Sequence, residues 1–453
     1  MLSSDTADVV ICGAGIAGIS AAYFLACRAG VKEILIVDPR DPLSLTSDKS
    51  SEAYRNWWPD PAMVQLMDRS IDLMEELADE CGNCFHMNRR GYLYVTTNRA
   101  GAEALLENAE EISKAGSGPL RVYSGEPGEP SYVPHQEHGY AQDLAGADLL
   151  LNPDLIQNHF PYLTKNAVAA LHVRRAGWLS AQQFGQYLLD QARSAGVKLE
   201  RGKVAGVEIE HGRVQAVVLE DGRRIRTNIF VNAAGPNLKD VGSLTGVELP
   251  VYSEIHLKAM LRDTQEIIPR DAPLVIYADR QMLNWTPEEK QALESENDLR
   301  FLLDELSAGG HLRPEGGSSS PIVLLLWDYH GQIVEPAFPI PIDPEYQEIA
   351  LRGLVSLVPG LNVYLERSQK PNVDGGYYTR TVENRPLIGP MPIEGSYVIG
   401  ALSGYGIMVS AAAGELLAAW ITGGKLPDYA HEFALERYDR PGYLEGFEED
   451  GQL

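Results

Sequence analysis

Residues 8–38 read DVVICGAGIAGISAAYFLACRAGVKEILIVD, and the order of residue types in this stretch decides the fold. Val9-Val10-Ile11-Cys12 is an apolar run short enough for one buried parallel strand. Gly13-x-Gly15-x-x-Gly18 follows, then a small-residue helix predicted over 19–29, with Gly30 placed to end it. A second apolar run over 34–37 closes on Asp38. Together they make one βαβ unit of about 30 residues. Gly13 permits a tight turn off the strand, Gly15 lets backbone approach a pyrophosphate, and Gly18 lets helix and strand pack closely. The helix start turns unpaired N–H groups toward phosphate. Asp38, about twenty residues past the last glycine, is placed for the hydroxyls of a ribose. Strand, glycines, helix, second strand and acid all agree on a dinucleotide site, against the plainer reading of a glycine-rich turn.

Working outward, residues 41–61 form a Ser- and Asp-rich loop that turns abruptly aromatic at Trp57-Trp58, beside Arg55. Two tryptophans in a loop imply that it is buried against something. Residues 63–77 carry apolar side chains at helical spacing. Cys81 and Cys84 follow that helix, with His86 beyond. No second ligand pair stands at zinc-motif spacing, so no metal is expected and the pair reads as structural. A strand is predicted at 91–96, a surface helix at 98–116, a polar excursion at 124–146 and a helix entry at 151–163. A strand return at 171–180 and a helix at 181–195 come next. Alternating runs at 197–199, 204–209 and 214–219 read as strands, and 229–235 is a strand ending in Ala-Ala-Gly, on whose backbone a ligand can lie. From 250 to 359 the pattern changes, with strand-like runs at 255–261 and 322–327 and helices at 287–306 and 344–357. Small residues return from 375, and an Ala-rich helix is predicted over 409–422. The acidic stretch from Asp428 on reads as a surface segment.

The chain has 453 residues and a formal net charge of −25, with 44% hydrophobic and 22% charged residues. That length implies two domains. The acidity excludes nucleic acid and anionic membrane as partners, since both need basic patches. No apolar run reaches the roughly 18 residues of a membrane span. The N-terminal apolar run is the first strand rather than a signal peptide, and four cysteines are no disulfide framework, so a cytoplasmic location is expected. Oligomeric state is not legible.

Four segments together resemble the FAD-dependent D-amino-acid oxidase superfamily, in the branch with glycine oxidase and sarcosine oxidase. They are GAGIAGISAAYFL with Asp38, VNAAGP at 231–236, ENRPLIGP at 383–390 and LSGYGIMVSAAAGELLAAW at 402–420. The resemblance implies an α/β, two-domain fold. A Rossmann-type FAD-binding domain would be built from 1–90, 165–250 and 370–425. An antiparallel-sheet substrate domain from 91–164 and 251–369 would be interleaved with it, and 426–453 would form an acidic tail. It also implies FAD as cofactor. The flavin would be non-covalent, because Gly376 stands where sarcosine oxidase attaches its flavin through a cysteine. Gly13, Ala14, Gly15, Ile16, Ala17, Gly18, Asp38, Pro39 and Arg40 would hold the ADP half. Ser50, Ser51 and Arg55 would reach the pyrophosphate and ring. Ala233, Ala234 and Gly235 would back the ribityl chain, with Val204 also in the cofactor set. Gly404, Tyr405, Gly406, Ile407 and Met408 would meet the pyrimidine edge. There, N–H groups at 407–410 would stabilise negative charge on the reduced ring.

The chain departs from the family pattern at telling places. Tyr405 replaces the histidine of an SGHG-like turn. Trp58 and Met408 stand where sarcosine oxidase keeps an arginine and a lysine for the substrate carboxylate, and 324–330 holds no lysine for oxygen activation. The residues expected to do chemistry are Arg55, Trp58, Tyr378, Arg380 and Tyr405. Trp57 and Trp58 read either as an aromatic wall over the flavin or as core packing. Tyr377 and Tyr378 alternate on a strand, so one faces the ring, and Tyr378 is the choice. Arg380 either binds an acidic group of the substrate or pairs with Glu383. His256 and His330 are lone histidines on apolar strands. The implied reaction oxidises a C–N bond of an amine or N-substituted amino acid by hydride transfer to flavin N5. The imine so formed hydrolyses, and oxygen or another acceptor takes the electrons. Two readings compete: a nicotinamide-dependent dehydrogenase, and a flavin-binding assembly or scaffold protein without turnover.

Overall fold

In a computed structural model the described residues are 6–141, 144–329, 331–366 and 372–445. The first strand, Val9–Cys12, lies at the middle of a six-stranded sheet. Ile34–Asp38 and Ile229–Asn232 flank it in parallel, with Cys12 opposite both Val37 and Asn232. This shared register brings Gly13, Asp38 and Ala233 to one carboxyl edge, where open α/β sheets bind ligands. Lys198–Arg201 and Ser396–Gly400 extend the sheet in parallel, and Leu387–Pro390 closes one edge antiparallel.

Two of the three helices against this sheet have almost no polar face to turn outward, and the third, Pro61–Cys81, is amphipathic. Every residue of Ile16–Tyr23 is buried, and Gly406–Thr422 packs between it and Pro61–Cys81. Small residues permit the close approach. A Cβ on Gly414 would stand 2.4 Å from Ser20 Oγ, which donates to the Ser410 carbonyl at 2.7 Å. The first helix starts at Ile16 rather than 19 and ends in a wider turn, Phe24–Arg28.

The second sheet has ten strands. Near one end of it lies Tyr252–Arg262, paired antiparallel with Ile322–Leu326 and with Val373–Arg380. The sheet is antiparallel, as expected, at most of its pairs and parallel at two. Tyr92–Thr96 runs parallel to Leu274–Tyr277, and Leu120–Tyr123 runs parallel to Ala147–Leu150. Ala169–Val173 and Val373–Arg380 belong to this sheet, so sheet membership crosses the expected segment joins at 165 and 370. The helix predicted over 287–306 stops at Ser295 and starts from a Thr286–Glu289 capping box.

Two further readings change. Cys81 and Cys84 form a disulfide, with Cα atoms 5.5 Å apart, at the end of the Pro61–Cys81 helix. Among the described residues from Asp428 to 445, Phe433, Ala434 and Arg437 are fully buried, so that part is anchored in the core rather than lying wholly on the surface. Buried Arg437 needs a counter-charge, and it donates to the equally buried Glu383 through Nε and Nη2 at 2.9 and 2.6 Å.

Candidate cofactor and active site

At the carboxyl edge of the six-stranded sheet lies an open cavity with about 910 Å³ of empty space. Gly13 to Ala17, Asp38 and Ala233 to Pro236 line one end. Tyr377 to Thr379, Ala401 to Gly404, Gly406 and Ile407 line the other. Leu43 to Ser47, with Ser50, form the lid between them.

The glycine roles are steric facts here. Gly13 has φ +118°, and a Cβ on it would stand 2.3 Å from the Ala233 carbonyl oxygen. A Cβ on Gly18 would stand 2.0 Å from the Gly13 carbonyl oxygen. Neither atom can retreat without moving a central strand. Asp38 accepts from Ala14 N and Arg40 N, each at 2.8 Å, one on each carboxylate oxygen. Each oxygen keeps a lone pair for a ribose hydroxyl. Ile16 N donates to Ser47 Oγ at 3.0 Å, which ties the lid to the helix start.

The Gly406–Thr422 helix begins three residues earlier than expected, and Val409 N already bonds the Tyr405 carbonyl. The N–H groups left for a ligand are therefore those of 406–408, not 407–410. The cavity suits FAD: a collapsed glycine turn with a helix start behind it at one end, an acid at ribose position, and a second helix start at the far end. A Cβ on Gly376 would lie 3.2 Å from Thr46 Cα. The lid backbone therefore packs closely against the position where sarcosine oxidase carries its cysteine, and Gly376 offers no side chain there.

The chemistry residues expected from the sequence divide sharply. Tyr378 lines the cavity, and its ring stacks on His256 at 3.7 Å. Burial, then Asp328, pushes its hydroxyl up to about 12, so it stays protonated at neutral pH. Arg55, Trp58 and Tyr405 do not line the cavity. They form a buried layer behind its wall. Arg55 Nη1 donates to the Tyr94 hydroxyl at 2.5 Å, and its guanidinium sits over the Trp58 ring at 4.9 Å. Trp58 meets Tyr405 edge to face at 5.2 Å, and Tyr405 donates to the Asn384 carbonyl at 2.6 Å. Trp57 and Trp58 are thus core packing, at 4% and 6% exposure, rather than a wall over the cavity.

Arg380 pairs with Glu254 at 2.7 Å, not with Glu383, which is held by Arg437. Ser50 lines the cavity, whereas the Ser51 carbonyl is turned to Arg313 Nε at 2.9 Å. Met408 and Val204 are buried in hydrophobic clusters. Arg40 lies over the Phe338 ring at 4.4 Å, and neither Pro39 nor Arg40 lines the cavity. His330 lies outside the described residues.

Several residues near the site escaped the sequence reading. Lys258 donates to the carbonyl of Ser50 at 3.0 Å, and burial lowers its proton affinity. His311 is kept neutral: burial, then the neighbouring Arg55 and His256, pushes it down to about 4. Glu254, His256 and Lys258 sit at alternate positions of one strand, so they share a face. That period of two was the available signal. His311 carried none, because its place beside Arg55 depends on sheet order. Among the described residues no group of three His, Cys, Asp or Glu side chains stands at metal-holding geometry. No helix among them is long and apolar enough to cross a membrane.

Comparison with known proteins agrees with this geometry. Human mitochondrial dimethylglycine dehydrogenase is 24% identical over 444 residues, 96% of this chain. The chain spans 45% of that relative's length. L-proline dehydrogenase from P. horikoshii has the same fold, with TM-score 0.72 and 19% identity, over 96% of this chain and 99% of that one. Glycine oxidase from Geobacillus kaustophilus superposes with TM-score 0.71 and 19% identity, over 95% and 98%. The family model described as DAO, FAD dependent oxidoreductase, matches residues 8–420, and the chain belongs to that family of FAD-dependent oxidoreductases.

Proposed function

We propose that this protein oxidises a C–N bond of an amine or N-substituted amino acid, giving an imine that hydrolyses in water. The observation that carries this reading is the single cavity running from the glycine turn and Asp38 to Tyr378 and the 403–407 turn. The relatives named for dimethylglycine, glycine and proline support a CH–NH substrate.

FAD, when bound, supplies the two-electron acceptor, and the rest is orientation and charge. Gly13 to Ala17 and Asp38 hold the ADP half, with the lid at 43–50 over it. Ala233 to Gly235 would back the middle of the cofactor, and Gly404, Gly406 and Ile407 would meet the ring, held non-covalently. Tyr378 donates a hydrogen bond to the substrate and excludes water from the reacting carbon. His256 holds the Tyr378 ring flat by stacking. The substrate must arrive as the neutral amine, because its lone pair expels the hydride. The carboxylate grips of sarcosine oxidase are replaced by Trp58 and Met408, both buried away from the cavity. This favours a larger, less zwitterionic amine than sarcosine.

The nucleotide domain in this reading comprises 1–90, 165–250 and 370–425, and the substrate domain 91–164 and 251–369, with the strands at 169–173 and 373–380 added to the substrate-domain sheet. A cytoplasmic location belongs to this reading, and fractionation of the native source tests it.

The deciding experiment is anaerobic bleaching of the flavin by a panel of secondary and tertiary amines and N-alkyl amino acids. Each is then run with oxygen and with an artificial acceptor. Bleaching by at least one compound is expected. A flavoprotein that none of them bleaches is a scaffold, and a colourless protein that turns over with NAD is a nicotinamide enzyme.

A further inference from the structure

The turn that faces the ring is made of residues that do not favour its shape. Ala401 has φ +53° and Ser403 φ +44°, left-handed conformations that strain a non-glycine residue. Something outside the turn must hold it. Ser403 N donates to the Thr379 carbonyl at 2.9 Å. Two further hydrogen bonds, both from side chains of the turn, converge on one residue. Ser403 Oγ donates to Asn384 Oδ1, and Tyr405 Oη donates to the Asn384 carbonyl oxygen, both at 2.6 Å. Asn384 is itself left-handed at φ +56°, a conformation asparagine tolerates.

Asn384 is pinned from behind. It closes the tight turn 381–385, in which Thr381 Oγ1 donates to the Arg385 carbonyl at 2.7 Å and accepts from Arg385 N at 3.1 Å. Glu383 on one side of it is bound by Arg437 and by the Tyr438 hydroxyl at 2.7 Å. Arg437 Nη1 also donates to the Pro386 carbonyl at 2.8 Å. Arg385 on the other side bonds Asp60 at 2.6 Å and Glu432 at 2.8 Å. Charge-assisted bonds from the C-terminal segment thus fix the backbone on both sides of Asn384, and two neutral hydrogen bonds tie Asn384 to the turn at 403–405.

We propose that Asn384 is the positioning residue for the flavin-facing turn, and that the C-terminal segment 430–440 completes the cofactor site through it without touching the cofactor. The reading rests on FAD occupying the cavity. Asn384 sets where the free N–H groups of 406–408 point. Those donors meet the negative charge that reduction adds to the ring. The latch therefore matters more to reduced than to oxidised flavin. By linkage, bound cofactor also holds the C-terminal segment in place.

The test compares holoprotein with the variants Asn384→Gly, Asn384→Asp and Tyr405→Phe. Glycine keeps the left-handed backbone and the carbonyl, and loses only the side-chain acceptor. Aspartate keeps an acceptor and serves as the rescue. Flavin release on dilution and the flavin reduction potential are measured beside the thermal unfolding of each protein. N384G is expected to weaken oxidised FAD about tenfold and reduced FAD about a hundredfold. That tenfold difference lowers the two-electron potential by about 30 mV. N384D restores both, and Y405F shows a smaller change of the same sign. FAD addition is expected to slow proteolysis in 430–440. Wild-type affinity and potential in both N384G and Y405F overturn the proposal. A lowered unfolding temperature with unchanged potential assigns Asn384 a purely structural role and overturns it as well. If the wild-type protein holds no FAD, the cofactor reading itself fails, which is a separate outcome.

Discussion

The two ends of the cavity are built in opposite ways. The glycine-turn end is local: Gly13, Gly18 and Asp38 all fall within one βαβ unit, and each role is a matter of spacing. The ring end is assembled from the 252–262 and 373–380 strands, the 403–407 turn, and a C-terminal segment that packs beneath it. At the first end a residue's type reveals its job. At the second the same residue types serve the cavity or the core, depending on register. Tyr378 and Tyr405 both stand in small-residue sequence, yet one lines the cavity and the other is tied to Asn384 behind it.

The sharpest way to break this contrast is Gly18→Ala. Its Cβ would stand 2.0 Å from a backbone oxygen of the glycine turn. Overpacking of about 3 kcal/mol is expected, a loss of roughly a hundredfold in FAD affinity. Flavin absorbance of the purified variant reads it directly, and a fully loaded variant would show the turn to be less rigid than its geometry implies. At the other end, Tyr378→Ala is expected to lower kcat/KM by about 30-fold, roughly 2 kcal/mol, while the flavin is retained. Tyr378→Phe keeps the ring on His256 and is expected to cost only a few-fold. Equal losses in both variants would mean that the hydroxyl, not the stacked ring, dominates.

Glu254 sharpens the comparison through pH. Burial raises its proton affinity, but hydrogen bonds from His256 and Arg380 outweigh burial and hold it below the usual 4.5. A depressed carboxyl contributes stability above its unfolded value and loses it as pH falls through the folded value. Wild-type protein is therefore expected to lose stability below about pH 4.5 more steeply than Glu254→Gln, as followed by thermal melts across pH. Parallel profiles would show that the pair with Arg380 is too solvated to matter. The smallest effect is expected from Arg40→Gln. Arg40 lies over Phe338 and does not line the cavity, so about 0.5 kcal/mol, or roughly twofold in FAD affinity, is expected by titration. A tenfold loss would return Arg40 to the cofactor site.

Much of the nucleotide half was legible because its signals are short-range. Strand, glycine turn, helix and terminal acid lie in order along the chain. The small-residue character of 233–235 and 404–406 marked close backbone approach wherever it occurred. The lid was less legible. Ser50 was found but Ser47 was not, because a serine in a Ser-rich loop has no distinguishing pattern until the loop folds over the helix start. Arg55 and Arg380 were expected at the reacting end, but their partners, Tyr94 and Glu254, are set by strand pairing. The C-terminal segment misled by composition. Its net acidity hid Phe433, Ala434 and Arg437, whose burial depends on Glu383 about fifty residues earlier.

The amino-acid order alone determined that a dinucleotide-type cofactor lies across the first strand, because steric permission at a glycine and the reach of one carboxylate are properties of neighbours in the chain. Only the tertiary structure decided which aromatic and charged side chains face the reacting end. A one-residue change of register, or the docking of a distant segment, turns a side chain from cavity to core without altering a single residue.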